Sequence, residues 1–367
     1  MSEPDAPVPG PGILDIAVYV PGEAKIEGAE RPIRLASNES ALGPSPKAMA
    51  AYRALAEDLH RYPEGDSTLL RAALGRAHGI DPGRIVCGAG SDELIALLLR
   101  AYAAGPGTEV LYSRHGFLMY AIGAKTVGAT PVAVPERNLT ADVDAILAHV
   151  TERTRMVFLA NPNNPTGTYL PEREVARLHA GLPPHVVLAI DAAYAEFVNR
   201  NDYEPGIRLV DKAENVVMLR TFSKIYALAG LRLGWAYCPS AIADVLNRVR
   251  GPFNVSAAAQ AAGVAAVEDS EALTRAKAHN ERWLPWLSEQ LARLGLELTP
   301  SVGNFVLPRF PDEPRHNADK AFDFLVSRAI IARKMGGYGL PQCLRITIGT
   351  GEEMQAVATA LADFMAS

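Results

Sequence analysis

Short apolar runs alternate with stretches of helical period over much of this chain. Seven runs stand out, at 84–87, 109–112, 131–134, 156–160, 186–190, 216–219 and 231–238. Each is rich in Val, Ile and Leu and is bounded by Gly, Pro, Asn or Asp. Runs that stay apolar throughout, rather than at every second position, predict strands covered on both faces, as in a mostly parallel α/β sheet. Stretches such as 91–104 and 141–150 carry the spacing of helices between them. Residues 46–250 are therefore expected to form a large α/β domain. Beyond 251 the texture changes. A helix-rich stretch at 257–294 leads into apolar runs at 304–308, 330–333 and 344–348, then a last helical segment, which predicts a smaller α+β domain. Residues 1–12, rich in Pro and Gly, are expected to form a mobile tail. Two domains suit a chain of 367 residues, because single cores seldom outgrow roughly 250–300 residues.

Composition narrows the function classes. The chain is 49% apolar and 21% charged with a net charge of −5. It has no basic excess and no Lys/Arg block, so no nucleic-acid partner is expected. The longest apolar run, at 94–99, is far too short to span a bilayer, so no membrane partner is expected either. No basic-then-apolar leader pattern opens the sequence, which points to the cytoplasm. Cys87, Cys238 and Cys343 each lie in or beside an apolar run and read as buried thiols of a reducing compartment. No Cys/His cluster has metal-ligand spacing, so no metal is expected.

In open α/β sheets, ligands bind beyond the carboxyl ends of the strands. The residues that follow each run are therefore the ones to read. After 84–87 comes Gly88-Ala89-Gly90-Ser91-Asp92-Glu93, a helix opening whose backbone N–H groups suit a phosphate, although an ordinary capped helix would look the same. After 156–160 comes Asn161-Pro162-Asn163-Asn164-Pro165-Thr166-Gly167, whose content turn chemistry alone would explain. After 186–190 comes Asp191-Ala192-Ala193-Tyr194, where the Asp could be a plain cap. After 216–219 comes Thr221-Phe222-Ser223-Lys224. A lysine there is partly desolvated, which lowers its pKa and makes it a usable amine nucleophile. Arg232 opens the next run. Singly these are weak signals. Together they meet the needs of pyridoxal 5′-phosphate (PLP): an amine for the aldehyde, a carboxylate for the pyridine nitrogen, neutral donors for the 3-oxygen, and N–H, hydroxyl and guanidinium groups for the phosphate.

Segments 161–167, 191–194 and 221–234 resemble the fold-type-I PLP-dependent aminotransferases, and the resemblance runs over nearly the whole chain. It is closest to the histidinol-phosphate group. Supporting segments are Tyr19-Val20-Pro21-Gly22, 35–46, Arg61-Tyr62-Pro63-Glu64, 90–94 and 344–350. It implies an α/β fold with a large domain built on a mostly parallel seven-stranded sheet sandwiched by helices, plus a smaller α+β domain in which residues 13–45 pack with residues 251–367, as large PLP enzymes often close. Lys224 resembles the lysine that carries the cofactor, and Asp191 the partner of the pyridine nitrogen. Tyr194 and Asn164 resemble the donors to the 3-oxygen. Ser91, the backbone of Asp92, Ser223 and Arg232 resemble the phosphate cradle. Phe117 lies where the family places an aromatic over the pyridine face, and plain core is its other reading. Tyr62 resembles a tyrosine lent to the neighbouring subunit, which implies a homodimer with shared active sites. Arg345 resembles the arginine that forks onto a substrate α-carboxylate, and Tyr19 and Arg333 resemble the residues that hold a substrate phosphate. In one place the chain departs from the pattern. Many relatives read Asn-Glu-Asn-Pro where this one has Asn38-Glu39-Ser40-Ala41, which puts the active-site rim and Asn38 in doubt.

The activity this implies is transamination of histidinol phosphate with 2-oxoglutarate, giving imidazole-acetol phosphate and glutamate in histidine biosynthesis, with Lys224 as the proton carrier. Other readings are an aromatic amino-acid aminotransferase, a PLP decarboxylase acting on a phosphorylated amino acid, and a non-catalytic PLP-binding regulator.

Overall fold

The computed structural model describes residues 7–18, 25–26 and 31–367. Tyr19, residues 20–22 of its supporting segment, and half of the expected tail lie outside them. The centre is a seven-stranded sheet of β1 (Ile85–Gly88), β2 (Glu109–Ser113), β3 (Thr130–Val134), β4 (Thr154–Ala160), β5 (Val187–Asp191), β6 (Val216–Thr221) and β7 (Gly234–Tyr237). Each overlaps one apolar run of the sequence. The spatial order is β1-β7-β6-β5-β4-β2-β3. Strand β7 runs antiparallel to both its neighbours, and every other pairing is parallel.

The runs are continuous because the sheet is buried on both faces. Val157, Leu159, Leu188, Ile190 and Met218 join one core, with Leu70 and Leu74 of helix Thr68–His78. Their chain neighbours Met156, Phe158, Val187, Ala189, Val217 and Leu219 join the opposite core, under Leu94 and Leu98 of α1 (Ser91–Tyr102). Side chains alternate along a strand, so two covered faces require apolar residues at every position.

The last run behaves differently from its expected extent. It becomes a strand only at Gly234. Ala229–Leu231 is a 3-10 turn, and Arg232 takes the left-handed conformation at φ +52°. The chain enters β7 so close to α1 that a Cβ on Gly234 would lie 2.5 Å from the Ser91 nitrogen. Because β7 is antiparallel, its start lies at the rim where the other strands end. Arg232 thus reaches the rim by preceding its strand, whereas the other signals follow theirs.

A third core gathers Leu35, Leu287, Leu291, Val306, Phe322, Ile346 and Leu361 around a small antiparallel sheet. Its strands are β8 (Phe305–Val306), β9 (Arg333–Lys334) and β10 (Leu344–Thr347), in the order β8-β10-β9. Phe305 packs into the larger core and Val306 into the smaller. One strand therefore ties the two together. Ile33–Arg34 pairs in parallel with Ile330–Ile331, which fastens the N-terminal segment to this smaller unit. Helix Ala257–Val267 lends Ala259, Ala262 and Ala266 to the larger core. Among the described residues no helix is long and apolar enough to cross a membrane, and no group of His, Cys, Asp and Glu could hold a metal.

Leu188 is fully buried on a central strand. Leu188→Ala is expected to lower unfolding stability by about 2–5 kcal/mol, the cost of a lost side chain plus a cavity that a crowded sheet face cannot close. Urea unfolding of the variant against the parent protein measures it.

Candidate active site

The strand ends converge on a cavity of about 180 Å³. Nine residues named from the sequence line it: Ser91, Asp92, Phe117, Asn164, Asp191, Tyr194, Ser223, Lys224 and Arg232. Tyr120, Ala160 and Ala193 complete much of the wall. The cavity thus lies where the carboxyl ends of β1, β2, β4, β5 and β6 meet, the place where open α/β sheets bind ligands.

One end of the cavity is built for an anion. Helix α1 starts at Gly90, and no side chain caps its free N–H groups. Gly90 sits at φ +84°, and a Cβ there would meet the Arg232 guanidinium at 2.4 Å. Arg232 donates to the Ser223 hydroxyl at 3.3 Å and to the Asp92 carboxylate at 3.1 Å. An open helix start, a hydroxyl and a guanidinium in one place are what a phosphate dianion requires.

The other end holds a buried charge. Asp191 is 5% exposed. Its oxygens accept from the Tyr120 hydroxyl at 2.7 Å and the Ala193 N–H at 3.2 Å, both neutral donors. It forms no salt bridge among the described residues, and burial pushes its carboxyl up to about 6. A buried carboxylate without a cation is costly, and a pyridinium nitrogen is a cation of fitting size and place.

Between the two ends lies Lys224. Burial, with Arg345 nearby, pushes its ammonium down to about 8, and its Nζ donates to the Ser37 carbonyl at 3.0 Å. Asn164 accepts from Arg345 through Oδ1, which leaves its amide N–H₂ as the group free to donate. Tyr194 is buried and its hydroxyl is pushed up to about 12, so it remains a proton donor. Phe117 packs edge-on against Tyr120 with ring centres 5.8 Å apart. It lines the cavity and also packs against the core.

The expected substrate residues lie to one side. Arg345 donates to the Ala36 carbonyl at 2.6 Å. Arg333 and Arg345 are directly opposed partners of the β9–β10 ladder, so both side chains leave the same face. Arg333 borders a second cavity of about 640 Å³, together with Tyr338, Lys125 and residues 15–18. Tyr62 does not line its own chain's cavity. It is 84% exposed and stacks on Phe253 with ring centres 4.8 Å apart.

Two residues escaped the sequence reading. Tyr120 carries the hydrogen bond to Asp191, and its only signal was an aromatic three positions after Phe117, one helical turn on. Asn38 is 1% exposed and donates to the Tyr194 hydroxyl at 2.8 Å. The Ser40-Ala41 departure does not displace it, because Thr347 and Asn304 hold Asn38 through its main chain.

The chain is similar to known proteins over nearly its whole length. The family model described as aminotransferase class I and II matches residues 30–361. The histidinol-phosphate aminotransferase of Paramagnetospirillum magneticum is 64% identical over 98% of this chain and 99% of its own length. That of Rhodospirillum rubrum is 56% identical over 100% and 99%. Among solved structures, histidinol-phosphate aminotransferase from Sinorhizobium meliloti in complex with pyridoxal-5′-phosphate is similar with a TM-score of 0.87 and 30% identity, covering 96% of each chain. A match running almost end to end, on a chain whose cavity already pairs an amine with a buried carboxylate, has one consequence: this chain belongs to the aminotransferase class I and II family.

Proposed function

We propose that the chain is a PLP-dependent transaminase that moves the amino group of L-histidinol phosphate to 2-oxoglutarate, forming imidazole-acetol phosphate and L-glutamate in histidine biosynthesis. The observation that carries the cofactor is the buried Asp191 carboxylate, which has no cation among the described residues, at the far end of a cavity that starts at an open helix N-terminus. PLP, when bound, supplies the aldehyde that takes up the amine and the pyridinium ring that accepts carbanion charge. The chain's own residues do the rest. Arg232, Ser223 and the N–H groups of Ser91 and Asp92 hold the phosphate. Asp191 keeps the ring nitrogen protonated, and Tyr120 and the Ala193 N–H keep Asp191 in place. Asn164 and Tyr194 donate to the 3-oxygen. Lys224, lowered to about 8, offers an unprotonated amine to a useful fraction of molecules near neutral pH. It can therefore take the proton from the substrate Cα.

The two opposed arginines support the choice of substrates. Histidinol phosphate carries a phosphate and no carboxylate, whereas glutamate and 2-oxoglutarate carry carboxylates. We assign Arg333, with Tyr19, to the phosphate and Arg345 to the α-carboxylate. Side by side on one face of β9 and β10, they let two substrates of different charge use one site. The near full-length identity to histidinol-phosphate aminotransferases points the same way.

We also propose a homodimer in the cytoplasm. Tyr52, Leu59, Tyr62, Leu69 and Phe253 are exposed, more apolar surface than the helices of residues 46–78 and the loop at 253 would leave to water. In a symmetric pair each subunit would cover this face and lend Tyr62 to the other's phosphate cradle. The three cysteines remain free, buried thiols, in keeping with a reducing compartment.

Three measurements test these assignments. Borohydride reduction of the PLP form is expected to fix the cofactor to the peptide holding Lys224, and Lys224→Ala is expected to lose transamination by several orders of magnitude. Label on another lysine would overturn the site. Arg333→Ala is expected to depress kcat/KM for histidinol phosphate about 10- to 100-fold more than for glutamate, with Arg345→Ala doing the reverse, since a charge-assisted contact is worth roughly 1.5–3 kcal/mol. Equal losses for every substrate would remove the division of labour, and a parent enzyme that prefers tyrosine or phenylalanine would make this an aromatic aminotransferase. Mixing Lys224→Ala with Tyr62→Phe protomers is expected to give activity above either parent, because half of the hybrid sites carry neither change. No recovery despite subunit exchange would argue against shared sites.

A further inference from the structure

Residues 35–38 form a strap beside the cavity, and it touches three of the site's working groups. The Ala36 carbonyl accepts from Arg345, the Ser37 carbonyl from Lys224, and the Asn38 side chain donates to Tyr194. The first two contacts are made by main chain, so any residue could supply them. The third needs the asparagine. The Asn38 backbone is left-handed at φ +55°, a conformation that asparagine tolerates better than most residues. Its main-chain N–H donates to the Thr347 hydroxyl at 3.0 Å, and its carbonyl accepts from Asn304 at 3.2 Å. The Thr347 hydroxyl also lies 3.2 Å from Asn38 Oδ1. Nδ2 is the amide atom that faces Tyr194, at 2.8 Å from its hydroxyl.

The polarity of this contact has a consequence. An amide nitrogen only donates. The Tyr194 oxygen must therefore accept from Asn38, and the phenolic proton must point elsewhere. No protein group among the described residues takes that proton, and the Tyr194 side chain lines the cofactor cavity. We infer that Asn38 is a positioning residue, which fixes the Tyr194 hydroxyl as a donor aimed into the cavity, at the 3-oxygen of the bound cofactor. The strap that carries Asn38 is tied to the smaller core by Leu35 and Thr347. Docking of the strap and orientation of the cofactor's hydrogen-bond donor are thus one event. This inference rests on the PLP reading above.

The test reads the cofactor's spectrum rather than turnover. A hydrogen bond donated to the anionic 3-oxygen stabilises it, most strongly when no neighbouring proton shares that oxygen, and so lowers the pH midpoint of the bound cofactor's visible absorption change. Asn38→Gly removes the amide and keeps a residue at home at positive φ. The midpoint is expected to rise by about half a pH unit or more, because a hydrogen bond to a charged group is worth on the order of one unit and misorientation forfeits part of it. In a Tyr194→Phe background the same Asn38→Gly change is expected to leave the midpoint where Tyr194→Phe alone puts it. An unchanged midpoint for Asn38→Gly would overturn the inference. An equal shift in both backgrounds would also overturn it, because the strap would then act without the hydroxyl. Asn38→Asp gives a second arm should the glycine variant fail to fold. Its carboxylate would take the Tyr194 proton, so its shift is expected to shrink when Tyr194 is Phe, and an undiminished shift counts against the inference. A parent protein that binds no PLP, or shows no visible band, would defeat the cofactor reading itself, an outcome distinct from all of these.

Discussion

A carboxylate buried at the end of the central strand, held among the described residues by a phenol and a backbone amide, organises this molecule. Asp191 ends β5 and is buried there. In a low-dielectric interior its charge is tolerable only if something positive arrives or the carboxyl takes a proton. The rise of its pKa toward 6 reflects that tension. The proposed cofactor would bring that positive charge on its ring nitrogen. Donors suited to the remainder of a pyridinium ring surround the cavity, and the strongest anion cradle lies at the opposite end. The sheet supplies the rigidity this needs, since a group on a buried parallel strand cannot relax toward water.

Much of this could be read in the chain before any coordinates. Strands buried on both faces must be apolar at every position, and such runs are conspicuous in a sequence. Ligand-binding residues follow strand ends, so Ser91, Asn164, Asp191 and Lys224 could be found by position alone. What stayed hidden depended on pairing across long distances. Arg232 breaks the rule of following a strand because β7 runs backwards, and strand direction is not written in composition. Arg333 and Arg345 stand twelve residues apart in the chain, and only the register of β9 on β10 makes them neighbours. Asn38 fell under suspicion because the residues after it depart from a familiar motif. Its place is held by Thr347 and Asn304, far along the chain, through contacts to its main chain.

Tyr120 illustrates a different limit. An aromatic inside an apolar stretch reads as core, and Tyr120 is indeed core, stacked on Phe158 with ring centres 4.5 Å apart. Its ring packs while its hydroxyl reaches Asp191. One side chain therefore serves stability and chemistry with different atoms, and burial statistics cannot separate the two roles.

The position of β7 also dictates when the pocket can exist. Strand β1 is the terminal strand of the sheet, and its partner there is β7, so Gly88 waits for Gly234. As the polypeptide leaves the ribosome, the helix start proposed to receive the phosphate is made early and stands at an open edge until a strand synthesised much later slots in beside it. Pairing across so much intervening chain is slow to find. The arginine that completes the cradle arrives on the same segment that closes the edge. A nascent chain therefore cannot hold the phosphate firmly before its sheet is whole, and cofactor capture follows completion of the sheet.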